Sequence, residues 1–435
     1  MGKNKSQRKR RNNRNTIVGL DIGTTKICAI VGEVTDGGLT IHSINSRPSA
    51  GLKKGVVVDL EAASESIKKA IEDAQIKSGI RIRDVFVGIA GSHIKSFNNF
   101  GVTGVRGKEV TREDVERAID AASEVHVPLD REVLHVLPND FILDGQSGIK
   151  DPVGMTGARL EVKVYVVTGA ITSVQNLLKC CEKVGLEVLD IVLQPLASAE
   201  ATLTPYEREM GIALVDIGGG TTDIAIYQDG WLRRTAVLGI GGNHFTNDIS
   251  VALRLPFYEA ERVKKDFGSV LPTAMNDMTE FDVSAVDGQM RAIPKKYLHE
   301  ILQPRGEELL ELIKQEIEQI SNSGTPVLGV VLTGGSSLLS GFDRLAEVVL
   351  AMPVKIGSLY PVSGKSRGDA APVLRINGLP GELNNPMYAT GVGLLLQGAE
   401  TMIPEQKDII SSDVISRIII KMSDWFKKIV YWKSH

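Results

Sequence analysis

Two stretches of this chain, 195 residues apart, repeat one supersecondary unit. The first reads Val18-Gly-Leu-Asp-Ile-Gly-Thr-Thr-Lys26 and the second Leu214-Val-Asp-Ile-Gly-Gly-Gly-Thr-Thr-Asp223. Each is an apolar strand ending in an aspartate, then a tight glycine–threonine turn, then a second strand, the signature of a β-hairpin. Such a duplication predicts an α/β chain with two related lobes around a cleft.

The turns also carry chemistry. Gly23, Thr24 and Thr25 in one copy, and Gly218, Gly219, Gly220, Thr221 and Thr222 in the other, offer backbone N–H groups and hydroxyls with little bulk. Close approach to phosphate oxygens requires those properties. Lys26 follows the first turn and can neutralise phosphate charge as a point cation. Asp21 and Asp216 end their strands and are expected at the same cleft, where carboxylates hold Mg²⁺ through its retained waters.

Between the copies, apolar spacing predicts helices over 60–77, ended by Gly79, and over 171–184, ended by Gly185. Strands are expected over 84–90 and 186–193. From Gly91 to about Thr168 short strands, glycines and a helix opened by the capping pattern Thr111-Arg-Glu-Asp114 indicate an inserted small α/β domain. Further helices are expected over 252–266, 307–320 and 387–397, with a strand over 327–332 entering Thr333-Gly-Gly-Ser-Ser337 and a further helix.

The chain has 435 residues, enough for two or more domains. Its three cysteines, Cys28, Cys180 and Cys181, have neither the number nor the spacing of a disulfide framework or zinc site. No apolar run is long enough to span a membrane, and the basic start leads into no secretory signal. Met1-Gly2 with Ser6 meets a loose myristoylation pattern. Lys3, Lys5, Arg8, Lys9, Arg10, Arg11 and Arg14 lie in the first fifteen residues with no acid among them. The net charge is −3, so the remainder carries −10. That arm reads as a disordered tail, and no specific nucleic-acid partner is expected.

The C-terminal segment is a separate argument. Ile415, Ile418, Ile419, Met422, Trp425, Phe426 and Ile429 fall on one stripe of a helix. Arg417, Lys421, Lys427, Lys428 and Lys433 oppose a lone Asp424, and aromatic residues suit the headgroup boundary. A helix of this type lies in the plane of a membrane surface. Each basic residue near an anionic leaflet adds on the order of 1 kcal/mol. An ordinary core-packing helix is the plainer alternative.

The two Asp-Ile-Gly turns resemble the phosphate loops of the actin, Hsp70 and sugar-kinase superfamily. Gly334, Gly335, Ser336 and Ser337 resemble its adenosine motif, a strand entering a helix; Gly242 and Asn243 of the Gly-Gly-Asn run resemble its loop near the sugar. Glu261 and Lys264, at i and i+3, resemble the Hsp70 pair that holds ribose and adenine, although a solvated ion pair is the simpler account. Gln194 falls where actin-like members carry a Gln that orients the attacking water, and a turn or core role is nearly as good a reading.

Within that superfamily the chain resembles the FtsA family of bacterial cell-division proteins from Thr16 onward. Val18 to Lys26, Asp151-Pro-Val-Gly-Met-Thr-Gly-Ala-Arg-Leu-Glu161 and Gln194-Pro-Leu-Ala-Ser198 carry the likeness. The resemblance implies an actin-like two-lobed ATPase fold. It implies first-lobe cores at 16–90, 172–204 and 385–402, an insertion at 91–171, second-lobe cores at 205–240 and 305–384, and a small subdomain at 241–304. A basic arm at 1–15, a linker at 403–413 and a membrane helix at 414–433 complete the expected organisation. It also implies ATP and Mg²⁺ as cofactors, slow hydrolysis at most, and self-association into filaments. Partners would be the FtsZ C-terminal peptide, an anionic membrane surface at the cytoplasmic face of the inner membrane, and later division proteins at the septum. The basic arm departs from the usual FtsA start. A small-molecule kinase of the same fold would need a further acid in the cleft, and a chaperone would need a substrate domain after the core. An actin-like assembly protein of pilus or cell-shape type stays open as the alternative.

Overall fold

A computed structural model describes residues 15–35, 38–271, 279–286, 288–321, 326–359, 376–378 and 380–402. The basic arm, the expected linker and the expected membrane helix lie outside the described residues.

The duplication seen in sequence is a duplication of sheet topology. In the first lobe the strand order is Glu187–Leu193, Asp84–Ile89, Thr16–Ile22, Lys26–Thr35, Gly38–Pro48 and Ile376–Asn377. In the second it is Val354–Ile356, Val330–Thr333, Ile212–Ile217, Thr222–Gln228 and Trp231–Leu238. In both, the turn-bearing strand pairs antiparallel with its hairpin mate and parallel with the strand on its other side. The register matches too. Asp21 faces Cys28 across its hairpin, as Asp216 faces Asp223. Asp21 faces Gly88 on the parallel side, as Asp216 faces Thr333. The central strands are apolar over nearly their whole length because both sheet faces are covered.

Helices cover them for legible reasons. Leu60–Ser78 starts where the Asp59 carboxylate accepts from the Ala62 N–H and ends at Gly79, whose φ of 69° suits glycine. Ala63, Ile67, Ala70, Ile71 and Ala74 form its buried face. The Gln194–Thr202 and Ala389–Met402 helices cross at glycine: a Cβ on Gly393 would stand 1.7 Å from the Ala197 carbonyl oxygen.

The insertion is a four-stranded antiparallel sheet, Lys95–Gly104, Arg159–Ala170, Arg131–Leu143 and Gln146–Ile149, backed by the Arg112–Ser123 helix. The expected capping box is present, with Thr111 and Asp114 bonding reciprocally. The second lobe lends this domain part of its core. Trp231 packs edge-on to Phe141 with ring centroids 6.4 Å apart.

Two expectations need correction. The 252–266 helix is two helices, Gly242–Leu253 and Phe257–Phe267, because Arg254 turns left-handed (φ 53°) and Pro256 cannot continue the first. The 307–320 helix runs from Lys295 to Ser321 with Pro304 inside it. After Thr333 the chain passes through a four-residue 3₁₀ turn, Gly335–Leu338, into the expected further helix, Phe342–Leu350; Gly334 at φ 84° sets that tight path.

Candidate nucleotide cleft

The two hairpin turns meet. A Cβ on Gly219 would stand 2.2 Å from Thr25 Cγ2, and one on Gly220 2.7 Å from Thr24 Oγ1. The threonines of one turn therefore lie over the glycines of the other, and a side chain at 219 or 220 would have to push them aside. In place of an open gap between gripping loops, the turns interlock, so a phosphate chain lodged between them requires the lobes to part.

Behind the turns lie the carboxylates, Asp21 buried and Asp216 partly so. Asp21 takes two partners: Lys26 Nζ donates to Oδ2 at 2.9 Å and Gln194 Nε2 to Oδ1 at 3.0 Å. Burial opposes the Lys26 charge, but the Asp21 carboxylate holds its proton well above the usual lysine range. Asp216 receives Ser198 Oγ at 2.8 Å, and Thr390 Oγ1 lies 3.3 Å from the same Oδ2. Ser198 and Thr390 are themselves 2.9 Å apart. Burial raises the Asp216 carboxyl, and the neighbouring Asp21 charge adds to it. A Cβ on Gly334 would meet Asp216 Oδ1 at 2.4 Å.

Asp223 joins the site without having been expected there; it faces Asp216 across the second hairpin as Cys28 faces Asp21 across the first. Burial, then Asp216, pushes its carboxyl up to about 7. Thr221 Oγ1 donates to Oδ2 at 3.1 Å, while Oδ1 is buried without a hydrogen-bond partner among the described residues. Ser198 and Thr390 are unexpected as well. Ser198 lies in the Gln194-to-Ser198 run without a marked role, and no sequence signal points to Thr390.

The remaining expected residues gather on one side of the second turn. Gly242 N donates to Gly218 O at 2.9 Å and Asn243 N to Gly219 O at 2.8 Å. Ser336 Oγ donates to Gly218 O at 3.0 Å, and Ser337 Oγ to Gly334 O at 2.7 Å. Thr222 Oγ1 reaches Ile240 O at 2.8 Å. Lys264 Nζ contacts Glu261 Oε2 at 2.7 Å, Gly242 O at 3.0 Å and Thr246 Oγ1 at 2.8 Å. Burial pulls the Lys264 ammonium below the usual lysine range despite Glu261. The ion pair is thus half-buried against the Gly242 loop, not a solvated surface pair. Gly335 is the loosest member: a Cβ there would meet nothing closer than Met387 Cβ at 3.9 Å.

This set can cradle anionic oxygens on glycine N–H groups and places the Asp21 and Asp216 carboxylates beside them. Two of the three acids are driven toward their neutral forms, and one buried oxygen is unpartnered. The site is short of positive charge, which fits Mg²⁺. Among the described residues no group of three or more acidic, His or Cys side chains is placed to hold a metal directly.

Paired hairpin turns between two lobes of like topology define an actin-like ATPase fold. Solved structures agree on the fold. A PilM–PilN type IV pilus biogenesis complex aligns at TM-score 0.63 with 18% identity, over 89% of this chain and 99% of the other. MreB5 of Spiroplasma citri bound to ADP aligns at 0.54 with 15% identity, over 91% and 99%.

Sequence relatives are more specific. The family model for cell division protein FtsA matches residues 213–393, and that for the SHS2 domain inserted in FtsA matches residues 91–168. Cell division protein FtsA of Pseudomonas aeruginosa is 46% identical over 386 residues, 88% of this chain and 89% of that protein. The chain belongs to the FtsA family of cell-division proteins.

Proposed function

We propose that this chain binds ATP with Mg²⁺ between its lobes, self-assembles in an actin-like manner and tethers FtsZ to the cytoplasmic face of the inner membrane. The observation that carries the nucleotide reading is the convergence of Asp21, Asp216 and both glycine turns on one place between the lobes. Gly23 to Thr25 and Gly218 to Thr222 would hold the phosphates, and Glu261 and Lys264 beside Gly242 the nucleoside. Asp21 and Asp216 would hold Mg²⁺ through its waters, and the ion would neutralise phosphate charge. Gln194 is anchored on Asp21 and can present its carbonyl oxygen to a water, which supports slow hydrolysis at most.

The tether reading rests on family membership and on the amphipathic pattern of 414–433, with the domain division set out from the sequence, save that Ile376–Asn377 joins the first-lobe sheet. No helix among the described residues is long and apolar enough to cross a membrane; the proposed attachment is peripheral, through the 414–433 helix. The FtsZ tail would dock on the small subdomain at 241–304. The deciding experiment is co-sedimentation with anionic liposomes and ATP, comparing the whole chain with one ending at Asp408. Pelleting of the whole chain alone supports the tether; equal behaviour of both removes it and leaves a soluble assembly ATPase.

A further inference from the structure

One cation beside the phosphate turns belongs to none of the motifs. Strands Leu52–Lys53 and Val56–Val57 form a minimal hairpin whose two-residue loop is Lys54-Gly55. Both loop residues are left-handed, with φ of 50° and 77°, which defines a type I′ turn. Asn, Asp or Gly is favoured at the first of these positions, and lysine is not. A residue that breaks a local rule in an otherwise regular turn points to a role for its side chain.

The surroundings say what the role is. The hairpin base is fixed by Val58 N and Asp59 N donating to Gly51 O at 2.8 and 3.1 Å. Its tip is wedged from below, since a Cβ on Gly55 would stand 2.5 Å from Ala90 O and one on Gly91 2.8 Å from Lys54 O. Gly55 N donates to Thr24 Oγ1 at 3.0 Å, so the tip leans on the first phosphate turn. Thr24 in turn lies over Gly220 of the second. Lys54 then extends across to the other lobe: its Nζ is 3.1 Å from where a Cβ on Gly239 would stand, just ahead of the Gly241-Gly242 loop. Lys54 has no hydrogen-bond or ion-pair partner among the described residues. Lys26, by contrast, is already committed to Asp21.

We propose that Lys54 is a further phosphate-binding residue, whose ammonium engages the terminal phosphate of a nucleoside triphosphate from the rim of the cleft. The inference rests on the nucleotide reading above. A pre-set turn holds the charge beside the place where both glycine turns and the Gly241 loop converge. A long side chain from the first lobe, reaching the second, meets the outermost phosphate first. The diphosphate lacks that group and gains little from Lys54.

The test is calorimetric titration of the full chain with Mg-ATP and with Mg-ADP, in the parent, Lys54→Asn and Lys54→Arg. Asparagine suits the left-handed position, so Lys54→Asn keeps the turn and its melting temperature should not fall below the parent's. The expected result is an ATP affinity about tenfold weaker in Lys54→Asn, the scale of one charge-assisted contact, with ADP affinity unchanged and Lys54→Arg near the parent. An unchanged ATP-to-ADP ratio in Lys54→Asn, or equal loss of both nucleotides, overturns the inference alone. A parent that binds neither nucleotide overturns the nucleotide reading and this inference with it.

Discussion

Replacing Gly393 by alanine tests the packing that positions the cleft. The new Cβ would stand 1.7 Å from Ala197 O, 2.3 Å from its carbonyl carbon and 2.8 Å from its Cα. All three are backbone atoms of a helix, so no rotamer change relieves the clash. The Ala389–Met402 and Gln194–Thr202 helices must part by roughly 1.5–2 Å to restore ordinary contact. Overpacking of a tight core costs about 1–3 kcal/mol, and the upper end applies where only backbone can move. Parting also loosens fully buried neighbours such as Leu394 and Leu395. A loss of about 3 kcal/mol lowers Tm by roughly 6–12 °C in a domain of some 200 residues. The displaced helix carries Gln194 and Ser198, so nucleotide affinity should fall with it. Differential scanning fluorimetry beside Gly104→Ala, where a Cβ meets nothing within 4 Å, supplies the control. A Gly393→Ala protein melting within a degree of the Gly104→Ala protein would refute the reasoning.

Three further outcomes follow from the site and the C-terminal segment. Asp216→Ala should weaken Mg-ATP binding by about tenfold or more, read by calorimetry; an unchanged affinity removes Asp216 from the site. Asp223 is raised from 3.8 to about 7 in the folded chain, so the unfolded chain releases this proton first and nucleotide-free stability falls as pH rises between those values. Asp223→Asn should abolish that contribution, on the order of 2–3 kcal/mol between about pH 5 and pH 7; parallel urea-unfolding curves for the two proteins would contradict it. Trp425→Glu places charge on the apolar stripe and should release the chain from anionic liposomes; full pelleting of that variant counts against the anchor.

The lobes are readable from sequence because the duplicated turn is a local pattern, and the sheet register follows from it. The Glu261–Lys264 pair is readable from i, i+3 spacing, but its burial is not, since that depends on Gly242 and Thr246 arriving from another helix. Thr390 is invisible for the same reason. It lies 174 residues from Asp216 and is brought there by the closing helix. The helix break at Arg254 is legible in principle, because Pro256 announces it, but the apolar periodicity on both sides masks the turn. Lys54 shows the opposite case, where a two-residue hairpin loop is plain only once the flanking strands are paired.

The interlocked threonines and glycines have a thermodynamic consequence. A ligand that needs the turns apart binds only the fraction of molecules in which they are apart. If one molecule in about a hundred is open, the measured dissociation constant is about a hundredfold weaker than the intrinsic one. Anything that holds the lobes open, such as a neighbouring subunit, then tightens nucleotide binding without touching the nucleotide. By linkage, nucleotide favours that neighbour by the same factor. Thr24 and Thr25 against Gly220 and Gly219 would then act as the latch through which occupancy and assembly set each other's strength.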